Sequence, residues 1–318
     1  MITVNVDNFV RAETDVAFAR LVGDQVDGIS TWVHHREPAP LDHQLIIRLN
    51  RDTLYSAAVA DISQGGTIDL PDAGDRYLSV MVVNQDHHIP RIFHDPGRHV
   101  LDRDELGSDY VLLACRILVD PSDPDDVAAV NALQSQLRLE TVSRRPFPTP
   151  DVEEESLGRT RRSLIALAAD LPDFRGAFGT ADEVDPVRHL LGTAAGWGGL
   201  PDYEAVYLNV NPELPVGEYQ VRMVDVPVDA FWSVSLYNAE GYFEVNDLGV
   251  NNVNSVTAVR DSDGAVTIRF GADGAGQANY LPIMPGWNFL IRLYRPRQAV
   301  RDGSWTPPAV EPAHQPAS

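Results

Sequence analysis

The sequence has 318 residues, of which 44% are hydrophobic and 8% aromatic, so the chain is long enough to bury a large core. Its 46 aspartates and glutamates outnumber its 25 arginines, it contains no lysine, and its formal net charge is −21. This charge argues against a nucleic-acid partner, and the lack of lysine excludes Schiff-base chemistry, a pyridoxal phosphate anchor and a phosphate-loop lysine.

The first predicted element is a helix within residues 7–33. Asp7 is a suitable N-cap, and apolar residues then recur at spacings of three and four. After this helix, short apolar segments alternate with turn residues, which is typical of antiparallel β-structure. The strands predicted in this part are 45–49, 55–60, 77–83, 91–93 and 110–119.

Residues 121–205 have a different pattern, which predicts a helical insert. Acidic residues open the helices predicted near 125–133, 151–171 and 185–192. Strand-like segments return afterwards at 219–226, 231–237, 256–259, 266–270 and 288–294. Asp261–Gly264 reads as a hairpin turn.

The predicted fold is therefore mainly β with a helical insert, of the α+β class. It consists of an N-terminal helix and two antiparallel β units. The predicted domain limits are 1–120 for the N-terminal helix and first β unit, 121–205 for the insert, 206–302 for the second β unit and 303–318 for a proline-rich tail.

Neither a disulfide nor a membrane span is expected. Cys115 is the single cysteine and lies in an apolar run, so we expect a core residue. No apolar run approaches the roughly 20 residues of a membrane span, and the N-terminus lacks the pattern of a signal peptide. We therefore expect a cytoplasmic protein without a membrane partner.

The first candidate cluster is the polar run Asn50–Ser56 between two apolar strands. Asp52 could act as a general base, while Arg51 or Tyr55 could hold an oxyanion or a carboxylate. Asn50 would contribute to substrate binding. The alternative is structural, with an ion pair between Arg51 and Asp52 capping the strand ends.

The second candidate cluster directly follows the strand predicted at 77–83. If the extended conformation continued, Asp86 and His88 would share one face and His87 would lie on the other. Asp86 could orient a histidine base, or Asp86 and His88 could belong to a metal shell with His94 and His99 as further ligands. The alternative is a turn of hydrogen-bonded histidines. The spacing matches no standard zinc motif, so we predict neither a metal nor a cofactor.

The third candidate region is rich in asparagine and aromatic residues. It begins at Trp232 and runs through Tyr237, Asn238 and Asn246 to the asparagines of 251–254. Asparagine supplies neutral donors and acceptors and also tolerates positive φ in turns. The region could therefore form a polar rim facing a ligand, or simply a loop capped by asparagines.

Two sets of motifs resemble a known pair of domains. Asn50–Tyr55, Leu70–Asp72, Asp75–Tyr77 and Val82–Asp86 resemble domain of unknown function 1254. Phe231–Tyr237, Asp263–Ile268, Asn279–Pro282 and Arg292–Pro296 resemble its usual C-terminal partner, domain of unknown function 1214. The resemblance implies two jelly-roll-like β units with a helical segment, and it implies no chemistry. Tyr280 stands where the second family usually has tryptophan.

The predicted function is that of a small-molecule enzyme using side-chain acid/base chemistry, meaning hydrolysis, elimination or isomerisation. Its pocket would lie within or between the β units. The partner is a small-molecule substrate, and a homo-oligomer is possible. The catalytic candidates are Asp52, Arg51, Tyr55, Asp86, His87 and His88. The substrate-binding candidates are Asn50, Asn84, Arg91, Tyr237, Asn238, Asn246 and Arg292.

Two other functions make different structural predictions. A non-catalytic binding or assembly module of jelly-roll type predicts an Arg51–Asp52 pair in the core with no cavity nearby. A metal-dependent enzyme predicts that at least three of five side chains meet at one point. These five are Asp86, His87, His88, His94 and His43. The acid/base enzyme instead predicts that Asp52 and a histidine converge on a water-accessible hollow.

Overall fold

The computed structural model describes residues 1–24, 28–42, 44, 47–272, 274 and 276–313. The helices are α1 (Phe9–Asp24), α2 (Arg103–Leu106), α3 (Pro124–Gln134), α4 (Glu154–Ala168), α5 (Pro186–Gly196) and α6 (Gln298–Arg301). The strands of the N-terminal half are β1 (Val33–His34), β2 (Thr53–Asp61), β3 (Gly66–Leu70), β4 (Leu78–Asn84), β5 (Arg91–Phe93), β6 (Gly97–Leu101), β7 (Tyr110–Leu118) and β8 (Arg138–Thr141). The remaining strands are β9 (Ala205–Val210), β10 (Tyr219–Met223), β11 (Trp232–Tyr237), β12 (Asn252–Asn254), β13 (Val266–Gly271), β14 (Tyr280–Pro282), β15 (Asn288–Tyr294) and β16 (Glu311–Pro312).

The fold is mainly β, with several antiparallel sheets and a few helices, as the sequence predicted. The predicted N-terminal helix is present as α1. The described chain divides into two compact units that interleave in sequence. The first unit comprises Met1–Arg36, Leu54–Leu118 and Ala128–Asp202. The second unit comprises Glu37–Thr53, Val119–Val127 and the chain from Tyr203 onward.

The first unit combines a five-stranded sheet, in the order β1-β2-β7-β4-β5, with a three-stranded sheet, β6-β3-β8. Its helices α1, α4 and α5 pack around apolar residues that include Phe9, Leu157 and Leu191. Strand β4 is buried along its whole length, because it lies inside the larger sheet. Cys115 on β7 is fully buried, which confirms the predicted core position.

The second unit contains two four-stranded sheets, ordered β12-β11-β15-β9 and β14-β13-β10-β16. Their apolar faces share one core, to which Val234 and Ile291 contribute from one sheet and Ile268 and Phe270 from the other. Successive side chains of a strand point to opposite faces of its sheet, so β11 sends Val234 inward and the serines beside it to the other face. This second face of the β12-β11-β15-β9 sheet carries the candidate site.

Several local predictions were wrong or fall outside the described residues. The strand predicted at 256–259 is a turn, because the Asn254 Oδ1 accepts hydrogen bonds from the backbone N–H groups of Val256 and Thr257, both at 2.9 Å. The strand predicted at 45–49 includes Leu45 and Ile46, which lie outside the described residues, and Ile47 and Arg48 form a turn.

The predicted helical insert and tail also contain β-structure. The segment 121–205 contributes strand β8 to the three-stranded sheet, besides helices α3 to α5. Part of the predicted extended tail forms β16, which pairs with β10. Among the described residues, no helix combines the length and the apolar character needed to cross a membrane.

Candidate functional site

The candidate site begins with a polar row on the β12-β11-β15-β9 sheet. Ser233 on β11 lies directly opposite Arg292 on β15, and Ser235 lies opposite Asn252 on β12. Tyr237 follows at the same two-residue spacing, so it shares the face of the two serines. Strand β11 therefore buries apolar side chains on one face and hydrogen-bonding side chains on the other.

Asp52 is fully buried against this polar face. Its Oδ1 accepts a hydrogen bond from the Asn252 Nδ2 at 2.7 Å, and its Oδ2 accepts one from the Ser233 hydroxyl. The Arg292 Nη1 lies 3.9 Å from the same Oδ2. The proposed structural partner was Arg51, but the carboxylate pairs with Arg292 from a distant part of the sequence.

Arg292 is itself 2% exposed, and its guanidinium is well satisfied. It donates to the Ser235 hydroxyl and to the Tyr237 hydroxyl, both at 2.7 Å, and to the backbone carbonyls of Arg48 and Leu49 at 2.9 and 3.1 Å. Burial acts to lower the pKa of Arg292, but the neighbouring Tyr237 and Asp52 groups outweigh it and raise that pKa. The guanidinium therefore stays charged and fastens the chain before Asp52 to the sheet.

Two further sequence candidates belong to the same network. The Asn50 Nδ2 donates to the Tyr294 hydroxyl at 3.1 Å, and the Asn50 Oδ1 accepts from the Asp52 backbone N–H at 2.9 Å. The Tyr237 hydroxyl donates to the Leu49 carbonyl at 2.8 Å, and burial raises the pKa of Tyr237. Asn50, Asp52, Tyr237 and Arg292, all predicted as site residues, are thus brought together within the second unit.

An open pocket of about 360 Å³ borders this network. Arg51 and Asn252 both line the pocket. Asn252 also donates a hydrogen bond to the buried Asp52, so this side chain connects the pocket wall to the network. This volume falls in the range of roughly 300–1,000 Å³ that is usual for small-molecule sites. The polar residues of the lining include Arg51, Asp120, Asn251, Asn252, Asn254 and Gln277.

The two charged side chains of the pocket differ in their partners. Arg51 is half-buried, and its Nη1 donates to the Ala39 backbone carbonyl. Within the part of the chain that the structure describes, no carboxylate lies within 4.0 Å of Arg51. Burial lowers the pKa of this guanidinium. The Asp120 Oδ1, in contrast, accepts from the Ser122 backbone N–H at 3.0 Å and from its hydroxyl at 2.6 Å.

The asparagines of the pocket use only half of each amide for internal contacts. The Asn251 Nδ2 donates to the Glu244 carbonyl at 2.7 Å, and the Asn252 Nδ2 is taken by Asp52. The Asn254 Oδ1 is taken by the turn that follows β12. Of the residues described, none bonds the Asn251 Oδ1, the Asn252 Oδ1 or the Asn254 Nδ2. These pocket-lining asparagines therefore leave two acceptors and one donor without an internal partner.

The histidine cluster belongs to the first unit. Strand β4 ends at Asn84, whose Oδ1 accepts from the backbone N–H groups of Asp86 and His88, both at 3.0 Å. His87 has a φ of 59°, in the left-handed region. The extended conformation thus stops at Asn84, so the condition on which the alternation of His87 with its neighbours was predicted is not met.

His87 is a buried ring whose two nitrogens are both bonded. Its Nδ1 lies 2.8 Å from the Thr193 hydroxyl, and its Nε2 accepts from the Gly198 backbone N–H at 2.9 Å. The ring stacks on both His189 and Trp197, at centroid distances of 5.6 and 5.3 Å. Burial, reinforced by the nearby His189, lowers the pKa of His87 to about 3. This imidazole is neutral and holds helix α5 to the turn after β4.

Asp86 and His88, the other described residues of this cluster, have partners of their own. Asp86 is partly exposed and forms an ion pair with Arg11 at 2.6 Å. His88 stacks on His189 at 4.8 Å, and burial lowers its pKa. In the described ranges, no group of three or more histidine, cysteine, aspartate or glutamate side chains could hold an ion. The predicted ligand His43 lies outside the described residues.

The other sequence candidates occupy structural positions. Tyr55 lies under the Arg116 guanidinium at 5.5 Å in the first unit, and Arg91 forms an exposed ion pair with Glu105. Asn238 and Asn246 shape turns, since their Oδ1 atoms accept from nearby backbone N–H groups. Asp52 and the histidines belong to different compact units.

Ser233 and the asparagines Asn251, Asn252 and Asn254 lie within the third candidate region but were not among the individually named substrate-binding candidates. A signal for Ser233 was present, because the alternation within 231–237 places serines on one face and large apolar residues on the other. The asparagine run was visible, but the sequence does not distinguish the amide groups consumed by turns from those left at the pocket.

The fold and the site define a mainly β protein whose second unit carries a buried polar network beside an open pocket. Residues 29–99 match the family described as "Protein of unknown function (DUF1254)", and residues 213–298 match "Protein of unknown function (DUF1214)". The two matches lie in the expected N-terminal and C-terminal order, which confirms the resemblance seen in the sequence.

Solved structures show the same fold. The crystal structure of the VPA0106 protein from Vibrio parahaemolyticus has a TM-score of 0.74 and 19% sequence identity, covering 98% of this chain and 100% of that chain. An uncharacterized protein from Burkholderia cenocepacia has a TM-score of 0.53 and 19% identity, covering 96% of this chain and 86% of that one. No curated protein matches the chain. These similarities concern the fold alone.

Proposed function

We propose that the second unit binds a small hydroxylated molecule in the pocket bordered by Arg51 and the asparagines. The observation that carries this proposal is the set of amide groups left over by the internal hydrogen bonds, namely the Oδ1 atoms of Asn251 and Asn252 and the Nδ2 of Asn254. Polar groups at a pocket wall fix the orientation of a ligand and give specificity. Hydroxyl groups suit such a wall, because each can both donate and accept.

The burial of Asp52 favours binding over catalysis as the first proposal. A general base must come within hydrogen-bond reach of the proton that it removes. Asp52 is fully buried, and Ser233, Asn252 and Arg292 surround its oxygens. The proposal therefore shares a binding function with the jelly-roll alternative from the sequence. It differs from that alternative in having a pocket beside Arg51 and in pairing Asp52 with Arg292, so that Asp52 supports the pocket wall from behind.

Titration calorimetry with d-glucose tests this function on the full chain. We expect saturable binding, and we expect N254D to weaken it about fivefold, because one donor is lost while the Oδ1 that holds the turn is kept. The matched control is N209D, since Asn209 is exposed on β9 and outside the pocket lining. Equal effects of both variants on glucose binding, or the absence of binding of any hydroxylated probe by the wild type, would contradict the proposal.

Acid/base catalysis is the second candidate, and one observation favours it. Asp52 lies only one hydrogen bond behind Asn252, which lines the pocket. A small rearrangement of Asn252 would open a path from the carboxylate to a bound molecule. NMR of d-glucose with the protein in deuterated buffer tests this, because base-catalysed isomerisation exchanges the proton at C2. A spectrum that stays unchanged over long incubation counts against catalysis of this kind.

A further inference from the structure

We propose that the molecule bound in the pocket carries a carboxylate that Arg51 binds, so that the ligand is a hydroxylated carboxylic acid of the sugar-acid class. This inference rests on the proposed function and narrows it from hydroxylated molecules in general to acids.

The state of Arg51 is the first argument. Its guanidinium is half-buried, and its one hydrogen bond to the described residues runs from Nη1 to the Ala39 carbonyl. A guanidinium has five N–H donors in a planar fork that matches the two oxygens of a carboxylate. Most donors of Arg51 are thus left for another partner, on a side chain that lines the pocket.

A comparison within the same unit supports this reading of Arg51. Arg292 is also removed from water, and the chain supplies it with Asp52, two hydroxyl groups and two backbone carbonyls. Arg51 has one carbonyl. Partial burial of a charge is costly unless an opposite charge or enough hydrogen bonds compensate it. A ligand carboxylate would supply both to Arg51.

The rest of the wall decides which kind of anion fits. Asp120 also lines the pocket, and its negative charge disfavours a compact anion such as inorganic phosphate. Hydroxyl groups of a sugar acid can instead donate to the Asp120 carboxylate and to the Oδ1 atoms of Asn251 and Asn252. The Asn254 Nδ2 can donate to a ring or hydroxyl oxygen. The donors and acceptors of the wall therefore suit a ligand with one carboxylate and several hydroxyls.

Three probe molecules distinguish the contribution of the ligand carboxylate from that of its hydroxyl groups. They are d-glucuronate, d-glucose, which has a hydroxymethyl group in place of the carboxylate, and cyclohexanecarboxylate, which has the carboxylate without hydroxyls. By titration calorimetry on the full chain, we expect glucuronate to bind about tenfold more tightly than either other probe. R51M should remove this preference while leaving glucose affinity within about twofold, and R51K should keep part of it, because lysine retains the charge without the fork.

A matched control and a second variant keep the outcome decisive. R297M removes an exposed arginine that pairs with Asp229 outside the pocket, and it should leave all three affinities unchanged. N254D places a negative charge on the pocket wall, so it should weaken glucuronate binding more than glucose binding. This second readout holds even if thermal melting shows that R51M does not fold.

The possible failures are distinguishable. If glucose and glucuronate bind with equal affinity and R51M changes both affinities alike, the ligand carboxylate is refuted and the proposed pocket function stands. If glucuronate binding is lost equally in R297M, Arg51 is not the anion contact. If neither sugar binds the wild type, the pocket function and this inference fall together.

Discussion

Asp52 and Arg292 bury opposite charges in the second unit, with side-chain exposures of 0% and 3%. Removing both charges from water is expensive, and their attraction offsets this cost only where the surrounding groups are also hydrogen-bonded. Ser233 and Asn252 serve the carboxylate, while Ser235 and Tyr237 serve the guanidinium. Each charge therefore depends on the other being present.

We expect D52N to destabilise the protein by about 3 kcal/mol, because it leaves the Arg292 charge buried without its carboxylate. The amide keeps the size of the side chain, so the loss measures charge rather than packing. Urea denaturation followed by circular dichroism at neutral pH gives the free energy of unfolding. A purely catalytic Asp52 would instead leave this free energy unchanged.

The control for D52N is D263N. Asp263 pairs with Arg222 at an exposed position of the same unit, where solvent screens the ion pair. Its removal should shift the denaturation midpoint only slightly. Equal losses of unfolding free energy in D52N and D263N would show that the buried ion pair stabilises the protein no more than the exposed one.

At the scale of single elements, much of the fold could be predicted because local patterns determine it. Arg91–Phe93 and Asn288–Tyr294 form strands with the predicted bounds. Strand β11 was predicted one residue too long, helix α4 is shorter than the predicted 151–171, and helix α1 lies within the predicted 7–33. Alternation and turn residues specify such segments, because each depends on neighbours a few positions away.

The candidate site was less predictable because its contacts are not local. Nothing near Asp52 indicates that its partners are Ser233, Asn252 and Arg292, since these meet only when β11, β12 and β15 form one sheet. The polar density around Asp52 correctly indicated paired groups but suggested the neighbouring arginine. Asn254 shows a second reason why the sequence misleads. The valines after it favour a strand, but the hydrogen bonds that its side chain accepts form a turn there instead.

Protonation of His87 should weaken the junction between helix α5 and the turn after β4. Its pKa is about 3 in the folded protein, where burial with the neighbouring His189 holds it neutral, against 6.5 for an ordinary histidine. The unfolded chain therefore binds this proton first as the pH falls, and stability present above pH 6.5 is progressively lost toward pH 3. For His87 this amounts to about 2 kcal/mol between pH 7 and pH 5.

Urea denaturation of the wild type and H87N at both pH values measures this effect. Asparagine tolerates the positive φ at this position, and its amide does not titrate. The variant should be less stable at pH 7 yet lose less stability on acidification. H99Q is the control, because it removes a half-buried histidine that bonds the Asp95 carbonyl and packs on Phe93 away from this junction, and it should keep the loss of stability that depends on His87. An unchanged pH dependence in H87N would refute the role given to this ring.

At the scale of the whole molecule, the sequence segments matched by the two families do not coincide with the compact units. Residues 213–298 match DUF1214, but the second unit also contains Glu37–Thr53 and Val119–Val127. The first of these segments supplies Asp52 and the carbonyls of Arg48 and Leu49, which are three of the partners of Arg292. The family boundary therefore cuts through a hydrogen-bond network.

A fragment of residues 203–318 should consequently fail to fold stably, although it contains every sheet strand of the second unit. Without segment 37–53, Arg292 loses its carboxylate and two of its carbonyl acceptors while its sheet face is left uncovered. We expect a poorly dispersed amide NMR spectrum and no cooperative thermal transition, against a dispersed spectrum for the full chain. Because the missing groups come from one short segment, a synthetic peptide of residues 37–53 added to the fragment should restore part of the dispersion. A well-dispersed spectrum from the fragment alone would mean that the apolar core between the two sheets suffices without Asp52.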